Sequence, residues 1–561
     1  MDIVQDDRVP TTGLKGQEEL GRNEVLNRVL VTAAQMQAIE ARVFAAGMPI
    51  AALMEKVAGL IAQRVMELYP QSQHPQPQSL RIAVLVGSGH NGGDALVVAR
   101  ELHLQGYQVM LCCPMTQLKD LTQTHLNYAI SLGIPCYRDI AEMPTCDVWI
   151  DGLFGFGLDR SISGQLAEIV THINQQNRPV VSIDLPSGIH TDTGSILGIA
   201  IRATHTLCLG LWKLGLLQDR ALPYVGQVEL IDFGLPLSDI QAVLGSKPTI
   251  QRITPTSALA GLCLDRPLTA HKYHLGHLLL VVGSQRYPGA AILAGLAAQA
   301  SGVGMLSIAV PASLQLWVVS KIPGALVIPC PETSSGAIAG LPPEIQLEKY
   351  QAIAVGCGLT PDAQAVVDDL LACDRPLILD ADGLNCLGDR ATVLLSQRQA
   401  PTILTPHSGE FERLWPGHLQ QASDPTTAVQ QVARASQATV LLKGARVTIA
   451  NPQGDVRINP ASTPALARGG SGDVLTGLMG GLWAQALGLA DRATRQQSPE
   501  NVPNFGDPLQ MAETATWWHA QAGILAARER SKLGVDPETL TQYLLKAIVQ
   551  FVGSSSERQK I

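Results

Sequence analysis

The feature that most constrains the fold is an alternation of short apolar runs with helical segments, which occurs twice along the chain. In the first series, "RIAVLVG" (81–87) and "PVVSIDLPSG" (179–188) are apolar runs of strand length. In the second series, "HLLLVVGS" (277–284) and "PLILDADGL" (376–384) have the same character. Such runs between helices are typical of parallel sheets that helices cover on both faces. The sequence therefore predicts an α/β fold with two doubly wound sheets.

Length and composition agree with two cores. The chain has 561 residues, more than one ordinary core accommodates, and 46% of them are hydrophobic. A short mixed segment near Leu235–Ile253 separates the two series, so we expect domains over residues 29–240 and 250–553. The polar, aperiodic residues 1–28 predict a mobile N-terminal tail, and residues 554–561 predict a C-terminal tail.

Charge and cysteine usage exclude several classes of protein. The net charge is -8 and no basic block occurs, so we expect no nucleic-acid partner. The ten cysteines form no CxxC pair, and the first residues lack the apolar region of a signal peptide, which predicts a cytoplasmic protein with reduced thiols. Tyr287–Ser320 contains no charged residue, but its Gly, Pro, Ser and Gln residues predict a buried helix and strand rather than a membrane span.

A glycine-rich turn between the first strand and its helix is the first candidate binding element. "VLVGSGHNGGDALVVAR" places Gly87, Gly89, Gly92 and Gly93 there, so backbone N–H groups can approach a phosphate. The turn fits neither the GxGxxG nor the Walker pattern, and the carboxylate of Asp94 opposes an anion. By itself the turn is weak evidence for function.

Polar residues follow the next strands of this series. Asp151 ends one strand, and Asp184 and Ser187 follow another. Because the carboxyl ends of parallel strands converge on one crevice, Asn91, Asp151 and Ser187 would supply oxygen ligands to a hard cation. Asp184 would then serve as a general acid or base. The alternative is that each of these residues only caps a helix or closes a turn. That explanation is less favoured when three such polar residues follow successive strands.

The second series ends in a stretch that joins an anion site to an acid. In "RGGSGDVLTG", the N–H groups of Gly470, Ser471 and Gly472 at a helix N-terminus form an anion hole. Asp473 beside them can take a proton from a hydroxyl that attacks phosphorus. The alternative is an N-capping residue on a tightly packed helix, which the polar strand-end loops upstream disfavour. Those loops contribute Ala290, Gly358, Asp380, His407, Glu410 and Lys443.

The first series resembles a known family. "GSGHNGGDALVVAR", "DGLFGFGLDRSISG" and "SIDLPSG" resemble the YjeF N-terminal domain, the NAD(P)HX epimerase family, over residues 30–240. The resemblance implies a Rossmann-like fold that binds potassium and interconverts the R and S epimers of hydrated NADH and NADPH. It implies dinucleotide contacts at His90, Asn91, Gly92, Gly93, Asp94, Gly155, Phe156, Gly157, Leu158, Asp159, Arg160 and Ser161. It also implies potassium ligation by Asn91, Asp151 and Ser187, and places Asp184 at the hydrated nicotinamide. His90 stands where the family usually has a second Asn.

The second series resembles the partner family. "TPHSGEFERL", "LLKGARVTI" and "GGSGDVLTG" resemble the YjeF C-terminal domain over residues 250–553. That domain is the ADP/ATP-dependent NAD(P)HX dehydratase, a ribokinase-like α/β/α sandwich. The resemblance implies contacts with the hydrated dinucleotide at Ala290, Gly358, His407 and Asp473. It implies ADP contacts at Lys443, Gly444, Ala445, Arg446, Val447 and Gly472, with Mg²⁺ accompanying ADP or ATP. Ser471 stands where Met is frequent.

Together the two resemblances imply a bifunctional repair enzyme for NADHX and NADPHX, with no membrane partner, that we expect to form a homo-oligomer. The alternative is a small-molecule kinase, acting on a hydroxymethylpyrimidine or a sugar, joined to a non-catalytic nucleotide-binding module. The residues do not distinguish ADP from ATP, or NADHX from NADPHX. They also assign no role to the polar segment 491–511.

Overall fold

The computed structural model describes residues 21–71, 80–264, 266, 269–495 and 506–556. The chain divides into two compact units, Met1–Pro248 and Thr249–Ile561. The division falls inside the segment in which the sequence analysis places the domain junction. Among the helices of the described ranges, none is both long and apolar enough to cross a membrane.

The first unit is built on a seven-stranded parallel sheet. The strands of the whole unit are β1 (Leu30–Val31), β2 (Arg81–Val86), β3 (Gln108–Cys112), β4 (Cys136–Tyr137), β5 (Val148–Gly152), β6 (Val180–Ile183), β7 (His205–Leu209), β8 (Trp212–Lys213) and β9 (Gln227–Ile231). The order is β4-β3-β2-β5-β6-β7-β9, while β1 and β8 form a separate parallel pair. The order reverses between β2 and β5, and ligand sites of such sheets lie beyond the strand ends at this reversal.

Helices cover both faces of this sheet, as the alternation predicts. They are α1 (21–28), α2 (Ala33–Ala45), α3 (Ile50–Leu68), α4 (His90–Leu104), α5 (Asp120–Ser131), α6 (Gln165–Gln175), α7 (Leu222–Val225) and α8 (Leu237–Leu244). Along β2, Ile82 and Val84 pack in one apolar cluster, whereas Ala83 and Leu85 pack in another. Because successive side chains of a strand point to opposite faces, both faces are buried.

The mobile tail predicted over residues 1–28 includes residues that are helical. Residues 21–28 form α1 rather than a mobile segment. The Leu26 side chain is buried in the main apolar cluster, and the Arg22 guanidinium donates hydrogen bonds to the Asp232 carboxylate and to the carbonyl of Leu235. These tertiary contacts stabilise a helix whose short polar sequence gave no periodic signal. Residues 1–20 lie outside the described ranges.

The second unit is built on a ten-stranded sheet. Its strands are β10 (Ile250–Arg252), β11 (His277–Val281), β12 (Met305–Pro311), β13 (Leu326–Cys330), β14 (Ala352–Val355), β15 (Leu377–Leu379), β16 (Thr402–Leu404), β17 (Thr439–Leu442), β18 (Thr448–Ala450) and β19 (Val456–Ile458). The order is β10-β19-β18-β17-β16-β15-β14-β11-β12-β13. The β17–β18 and β18–β19 pairs are antiparallel, and all other pairs are parallel. The order reverses between β11 and β14.

The helices of this unit complete an α/β fold. They are α9 (Pro255–Leu259), α10 (Pro288–Ala300), α11 (Gln315–Lys321), α12 (Gln364–Ala372), α13 (Asp382–Asn385), α14 (Ala391–Ser396), α15 (Ser408–Leu414), α16 (His418–Gln421), α17 (Pro425–Ser436), α18 (Ser471–Arg495), α19 (Pro508–Arg530) and α20 (Pro537–Ser556). The uncharged segment Tyr287–Ser320 contains α10 and β12, as predicted.

Two predicted irregular segments are partly helical. Of the polar segment 491–511, α18 continues to Arg495 and α19 begins at Pro508, and residues 496–505 lie outside the described ranges. Of the tail predicted over residues 554–561, Ser556 still belongs to α20, and residues 557–561 are likewise outside. In both cases a long helix extends into the segment that was predicted to be irregular. Sequence composition locates the ends of such helices poorly.

Candidate active sites

A cavity of about 850 Å³ lies in the first unit at the strand ends on both sides of the order reversal. It is walled by the loops that follow β2, β5 and β6 and by one side of α2. The residues of the sequence prediction that line it are His90, Asn91, Asp94, Gly155, Phe156, Gly157, Leu158, Asp159 and Asp184. Arg160 and Ser161 are exposed and are not among its lining residues.

Asp184 forms a buried ion pair with Lys213. The Lys213 Nζ lies 2.5 Å from Asp184 Oδ1, and both side chains are almost inaccessible to solvent. The Asp184 carboxylate also accepts hydrogen bonds from the backbone N–H groups of Phe156 and Leu209, both at 3.2 Å. Burial alone would lower the pKa of Lys213, but the Asp184 carboxylate raises it above its usual value. The pair therefore holds a carboxylate and an ammonium ion at the cavity wall.

The glycines of the first turn have a packing role. A Cβ atom on Gly92 would lie 2.0 Å from the carbonyl oxygen of Gly87, so no larger residue fits there. Gly92 and Gly93 are buried and are not among the lining residues of the cavity. Gly89 is the N-cap of α4 and supplies no capping side chain, which leaves N–H groups of the first turn available to an anion beside His90.

Asp151 and Ser187 meet directly, as the strand-end argument predicts. The Ser187 hydroxyl donates to Asp151 Oδ1 at 2.6 Å, and the Ser187 N–H donates to Asp151 Oδ2 at 2.8 Å. The Ser182 hydroxyl and the Leu153 N–H also donate to this carboxylate. Asn91 lies next to the loop that follows β5, because a Cβ atom on Gly155 would be 3.2 Å from Asn91 Oδ1 and 3.4 Å from Asp184 Oδ2. The Nδ2 group of Asn91 is buried and has no hydrogen-bond partner within the described part of the chain.

Sequence reasoning missed four charged residues of this cavity: Glu40, Lys119, Asp192 and Lys213. Lys213 had a readable signal, because it is the only charged residue in the apolar run Leu209–Leu217. A lysine inside such a run is rarely buried without a partner. Glu40 had no such sequence signal, since a Glu on an amphipathic helix usually faces solvent.

In the second unit, the loops after β14, β15, β16 and β17 meet the N-terminus of α18. Lys443 Nζ lies 2.7 Å from Asp380 Oδ1, and the hydroxyls of Thr405 and Thr476 donate to the same carboxylate at 2.8 Å and 2.9 Å. Burial alone would raise the pKa of Asp380, but Lys443 and the hydroxyls lower it below its usual value. The Asp380 carboxylate thus stays ionised and fixes the Lys443 ammonium.

Asp473 shares this cluster without a cationic partner of its own. Ligand atoms of Cys357, Asp380 and Asp473 all lie within 4.8 Å of one another. Burial, followed by the neighbouring Asp380 carboxylate, raises the pKa of Asp473 to about 6. Asp473 is therefore a carboxyl group whose proton exchanges close to neutral pH, at the first turn of α18.

The remaining predicted residues surround this cluster. A Cβ atom on Gly472 would lie 3.5 Å from Lys443 Nζ, and one on Gly358 would lie 2.5 Å from the Cβ of Ala290. His407 is half-exposed and caps α15, where its Nδ1 accepts hydrogen bonds from two backbone N–H groups. Gly444, Ala445, Arg446 and Val447 form the turn between β17 and β18.

Ser471 is buried against α19. Its hydroxyl lies 3.3 Å from His519 Nε2, and its carbonyl oxygen lies 3.0 Å from the same nitrogen. Burial lowers the pKa of His519 to about 4, so the imidazole is neutral. The side chain at this position therefore points into the unit, as expected for a residue that turns its backbone toward a ligand.

Comparison with protein families decides the relationship of the chain. Residues 50–215 match the family described as YjeF-related protein N-terminus, and residues 278–546 match the family described as NAD(P)H-hydrate dehydratase. The bifunctional NAD(P)H-hydrate repair enzyme Nnr of a Synechocystis species is 52% identical over 527 residues, which cover 94% of this chain and 96% of that protein. This chain belongs to the bifunctional NAD(P)H-hydrate repair enzyme family.

Other relatives agree with this assignment to the repair enzyme family. The enzyme of the same name from Thermosynechococcus vestitus is 50% identical over 519 residues, which cover 92% of this chain and 97% of that protein. A solved structure of the ADP/ATP-dependent NAD(P)H-hydrate dehydratase from Bacillus subtilis, co-crystallised with ATP and Mg²⁺, is 31% identical. It covers 53% of this chain and 97% of its own, with a TM-score of 0.44.

Proposed function

We propose that the chain repairs NADHX and NADPHX with two active sites. The second unit dehydrates the S epimer at the expense of ADP or ATP, and the first unit interconverts the R and S epimers. The observation that carries the proposal is the position of Asp473, an acid with an exchangeable proton in the first turn of α18 beside Lys443. Such an arrangement serves phosphoryl transfer to a hydroxyl.

The dehydratase residues divide the reaction between base and anion binding. The Asp473 carboxylate takes the proton of the C6 hydroxyl while that oxygen forms a bond to the terminal phosphorus. The bond from this phosphorus to the bridging oxygen breaks at the same time, and AMP leaves when ADP is the donor, or ADP when ATP is the donor. Lys443 and the N–H groups at the start of α18 stabilise the negative charge of the transferring phosphoryl group. The C6–O bond then breaks, inorganic phosphate leaves, and loss of a proton from the adjacent ring carbon restores the double bond. Phosphate is a far better leaving group than hydroxide.

The carboxylates of this site do not fit a dedicated Mg²⁺ cage. The Cys357 thiol is a soft donor, which Mg²⁺ disfavours, and the Asp380 carboxylate already accepts from Lys443, Thr405 and Thr476. Mg²⁺ in nucleotide sites is held chiefly by phosphate oxygens and water, which supplies charge neutralisation. We therefore assign Mg²⁺ to the nucleotide, whose phosphate oxygens would hold it.

The dehydration rate is expected to depend on the ionisation of Asp473. Because a general base acts in its ionised form and the pKa of Asp473 is about 6, kcat falls about tenfold per pH unit below pH 6 and is level above pH 7. The measurement is kcat for S-NADHX with saturating ADP between pH 4.5 and 8. A rate that stays level down to pH 5 would contradict this role of Asp473.

Three residues of the first unit carry the oxygen types that a hard cation prefers. Asn91, Asp151 and Ser187 offer amide, carboxylate and hydroxyl oxygens with one negative charge. The Asp151 carboxylate already accepts four hydrogen bonds, so a bound K⁺ would depend chiefly on the Asn91 Oδ1 atom and on oxygens outside this set. The buried Nδ2 group of Asn91 is a donor without a hydrogen-bond partner in the described part of the chain, which leaves it available to an acceptor of a ligand. A bound K⁺ would supply a fixed positive charge near the dinucleotide phosphates.

Potassium is expected to stabilise the first unit. Replacing choline chloride by KCl at constant ionic strength should add about 2–3 kcal/mol when K⁺ is present at a hundred times its Kd. The Asn91→Leu variant should lose this increment and retain the fold, since Leu has a similar volume. Thermal unfolding of both proteins in both salts is the measurement. An equal potassium effect in the two proteins would remove Asn91 from the site.

The repair assay tests the proposed function as a whole. A mixture of NADHX epimers is incubated with ADP or ATP, with and without K⁺, and the absorbance of the reduced nicotinamide and free phosphate are followed. Complete recovery of NADH with one phosphate released per molecule supports repair. A stable phosphorylated product would instead support the small-molecule kinase, and recovery of one epimer only would support a non-catalytic first unit.

We also propose a cytoplasmic location. All ten cysteines are free thiols in the structure, and most are buried. This pattern is typical of proteins of reducing compartments.

A further inference from the structure

The cavity of the first unit has a second wall that carries an acid. Ala33, Gln37, Glu40 and Phe44 of α2 line it, a spacing of three or four residues that marks one face of a helix. The other wall is formed by the strand-end loops, which carry Asp184. Glu40 on α2 and Asp184 at the sheet edge therefore both line the cavity, which Ile50, Leu53, Met54 and Val57 of α3 line as well.

The charges in the cavity are unbalanced. Five acids, Glu40, Asp94, Asp159, Asp184 and Asp192, line it together with two lysines, Lys119 and Lys213, and Asp184 engages Lys213 directly. Burial is the main cause that raises the pKa of Glu40 to about 7, against the opposing effect of Lys213, and Asp184 contributes in the same direction as burial. Burial also raises the pKa of Asp94 well above its usual range. At neutral pH, Glu40 therefore exchanges a proton.

Glu40 is also free to reach a ligand. The Asp184 carboxylate is held by Lys213 and by two backbone N–H groups. The Glu40 carboxyl group makes no hydrogen bond with any residue in the described part of the chain, although its partial burial limits the water that can reach it. A half-buried acid without partners is costly to a fold unless a ligand uses it.

We propose that Glu40 is the second acid–base residue of the epimerase, and acts on the face of the hydrated nicotinamide opposite Asp184. The inference rests on the proposed function of the first unit. Inversion at C6 requires that a hydroxyl leave one face of the ring and that water return to the other. One carboxyl group on each side of the cavity supplies a proton donor and a proton acceptor for these two events.

The protons and bonds balance between the two carboxyl groups. Protonated Glu40 gives its proton to the C6 hydroxyl, the C6–O bond breaks, and the electron pair of the ring nitrogen forms the C6–N double bond as water leaves. A second water molecule adds to C6 from the other face and gives its proton to Asp184. Glu40 is now ionised and Asp184 protonated, so the same steps in reverse convert the other epimer. Exchange of a proton with solvent restores the starting state.

The decisive experiment uses the full chain and a purified R epimer of NADHX without ADP, so that only epimerisation proceeds. The Glu40→Gln variant should lower kcat for epimerisation by about 10²–10³-fold, because it can neither give nor take the proton. The dehydration rate of the S epimer should not change, since that site lies in the second unit. The Glu67→Gln variant, which makes the same change at a half-exposed surface acid, should epimerise like the wild type.

Two further readouts separate catalysis from a structural role. The pH profile of wild-type epimerisation should contain a limb near pH 7 that belongs to Glu40, and Glu40→Gln should abolish it. The other charged and titratable residues that line the cavity with Glu40 are His90, Asp94, Lys119, Asp159, Asp184, His190, Asp192 and Lys213. In water labelled with oxygen-18, the product epimer should carry the label. A Glu40→Gln variant that epimerises at the wild-type rate, or a product that keeps its original oxygen, would overturn the proposal. Absence of epimerisation by the wild type would instead refute the proposed function of the unit.

Discussion

The Asp473→Asn variant is expected to lose about 10²–10⁴-fold in kcat for dehydration while the KM for ADP stays within a factor of about three. The amide cannot accept the hydroxyl proton, which accounts for the loss of rate. The nucleotide contacts are retained, because the N–H groups of α18 and the Lys443 ammonium are unchanged. Steady-state kinetics with S-NADHX and ADP measures both constants.

The same variant should not be less stable than the wild type. The pKa of Asp473 in the folded protein, about 6, lies above its usual value, so the folded state binds the proton more tightly than the unfolded state does. The free energy of unfolding contributed by this group therefore falls as pH rises from about 4 to about 6, and is lowest above pH 6. At pH 8 Asp473→Asn should raise it by about 1–3 kcal/mol, and at pH 4 the gain should vanish.

Thermal unfolding at these two pH values checks the sign. Asp389→Asn is the matched control, because Asp389 is an exposed acid of the same unit. A catalytic loss that comes with lower stability at pH 8 would show that Asp473 acts through the fold and not through the proton. If Asp473→Asn raises stability and lowers the dehydration rate, Asp473 is an active-site acid that the folded protein keeps although it lowers the free energy of unfolding.

The convergence of the strand-end residues could be predicted from the sequence. Asp151 and Ser187 follow neighbouring strands β5 and β6, and the rule that parallel strands end at one edge places their side chains together. The same rule brings Lys443 to Asp380 across the ends of β17 and β15. In both cases the prediction needs only the strand assignments, which long apolar runs make clear.

The partners of the acids could not be predicted in this way. Lys213 belongs to β8, which pairs with β1 outside the main sheet, so strand order gives no reason to place it at Asp184. Glu40 reaches the cavity only because α2 lies over the strand ends, which depends on tertiary packing. The raised pKa of Asp473 depends first on burial and then on the Asp380 carboxylate, and no local sequence pattern contains either the burial or the position of Asp380 relative to α18.

Each unit pairs a buried carboxylate with a lysine at its strand ends, but the pair has a different task in each. In the second unit, Asp380 holds Lys443 and leaves Asp473 unpaired, so the base is a separate residue with a raised pKa. In the first unit, Asp184 is itself the paired carboxylate, and Glu40 is the acid without a partner. A paired and an unpaired acid are thus available in both units, and the unpaired one exchanges its proton near neutral pH.

Asp184→Asn is expected to reduce epimerisation by about 10²–10⁴-fold, and it should also destabilise the first unit. The backbone of Asp184 has a φ of +68°, which Asn tolerates as well as Asp, so the turn after β6 is preserved. The variant leaves the Lys213 ammonium buried without its counterion, and removal of one member of such a pair costs about 3–5 kcal/mol. Loss of activity alone therefore does not separate catalysis from folding.

The double variant Asp184→Asn, Lys213→Met separates the two effects. Met removes the unpaired charge and keeps much of the apolar volume, so most of the lost stability should return, while epimerisation should stay as low as in the single variant. Thermal unfolding measures the stability of each variant, and epimerisation without ADP measures its activity in the first unit. The dehydration rate of the S epimer serves as the internal reference, because that reaction takes place in the second unit. Recovery of epimerisation together with stability would show that the pair only holds the fold. The acid–base role would then return to the other carboxyl groups that line the cavity, which are Glu40, Asp94, Asp159 and Asp192.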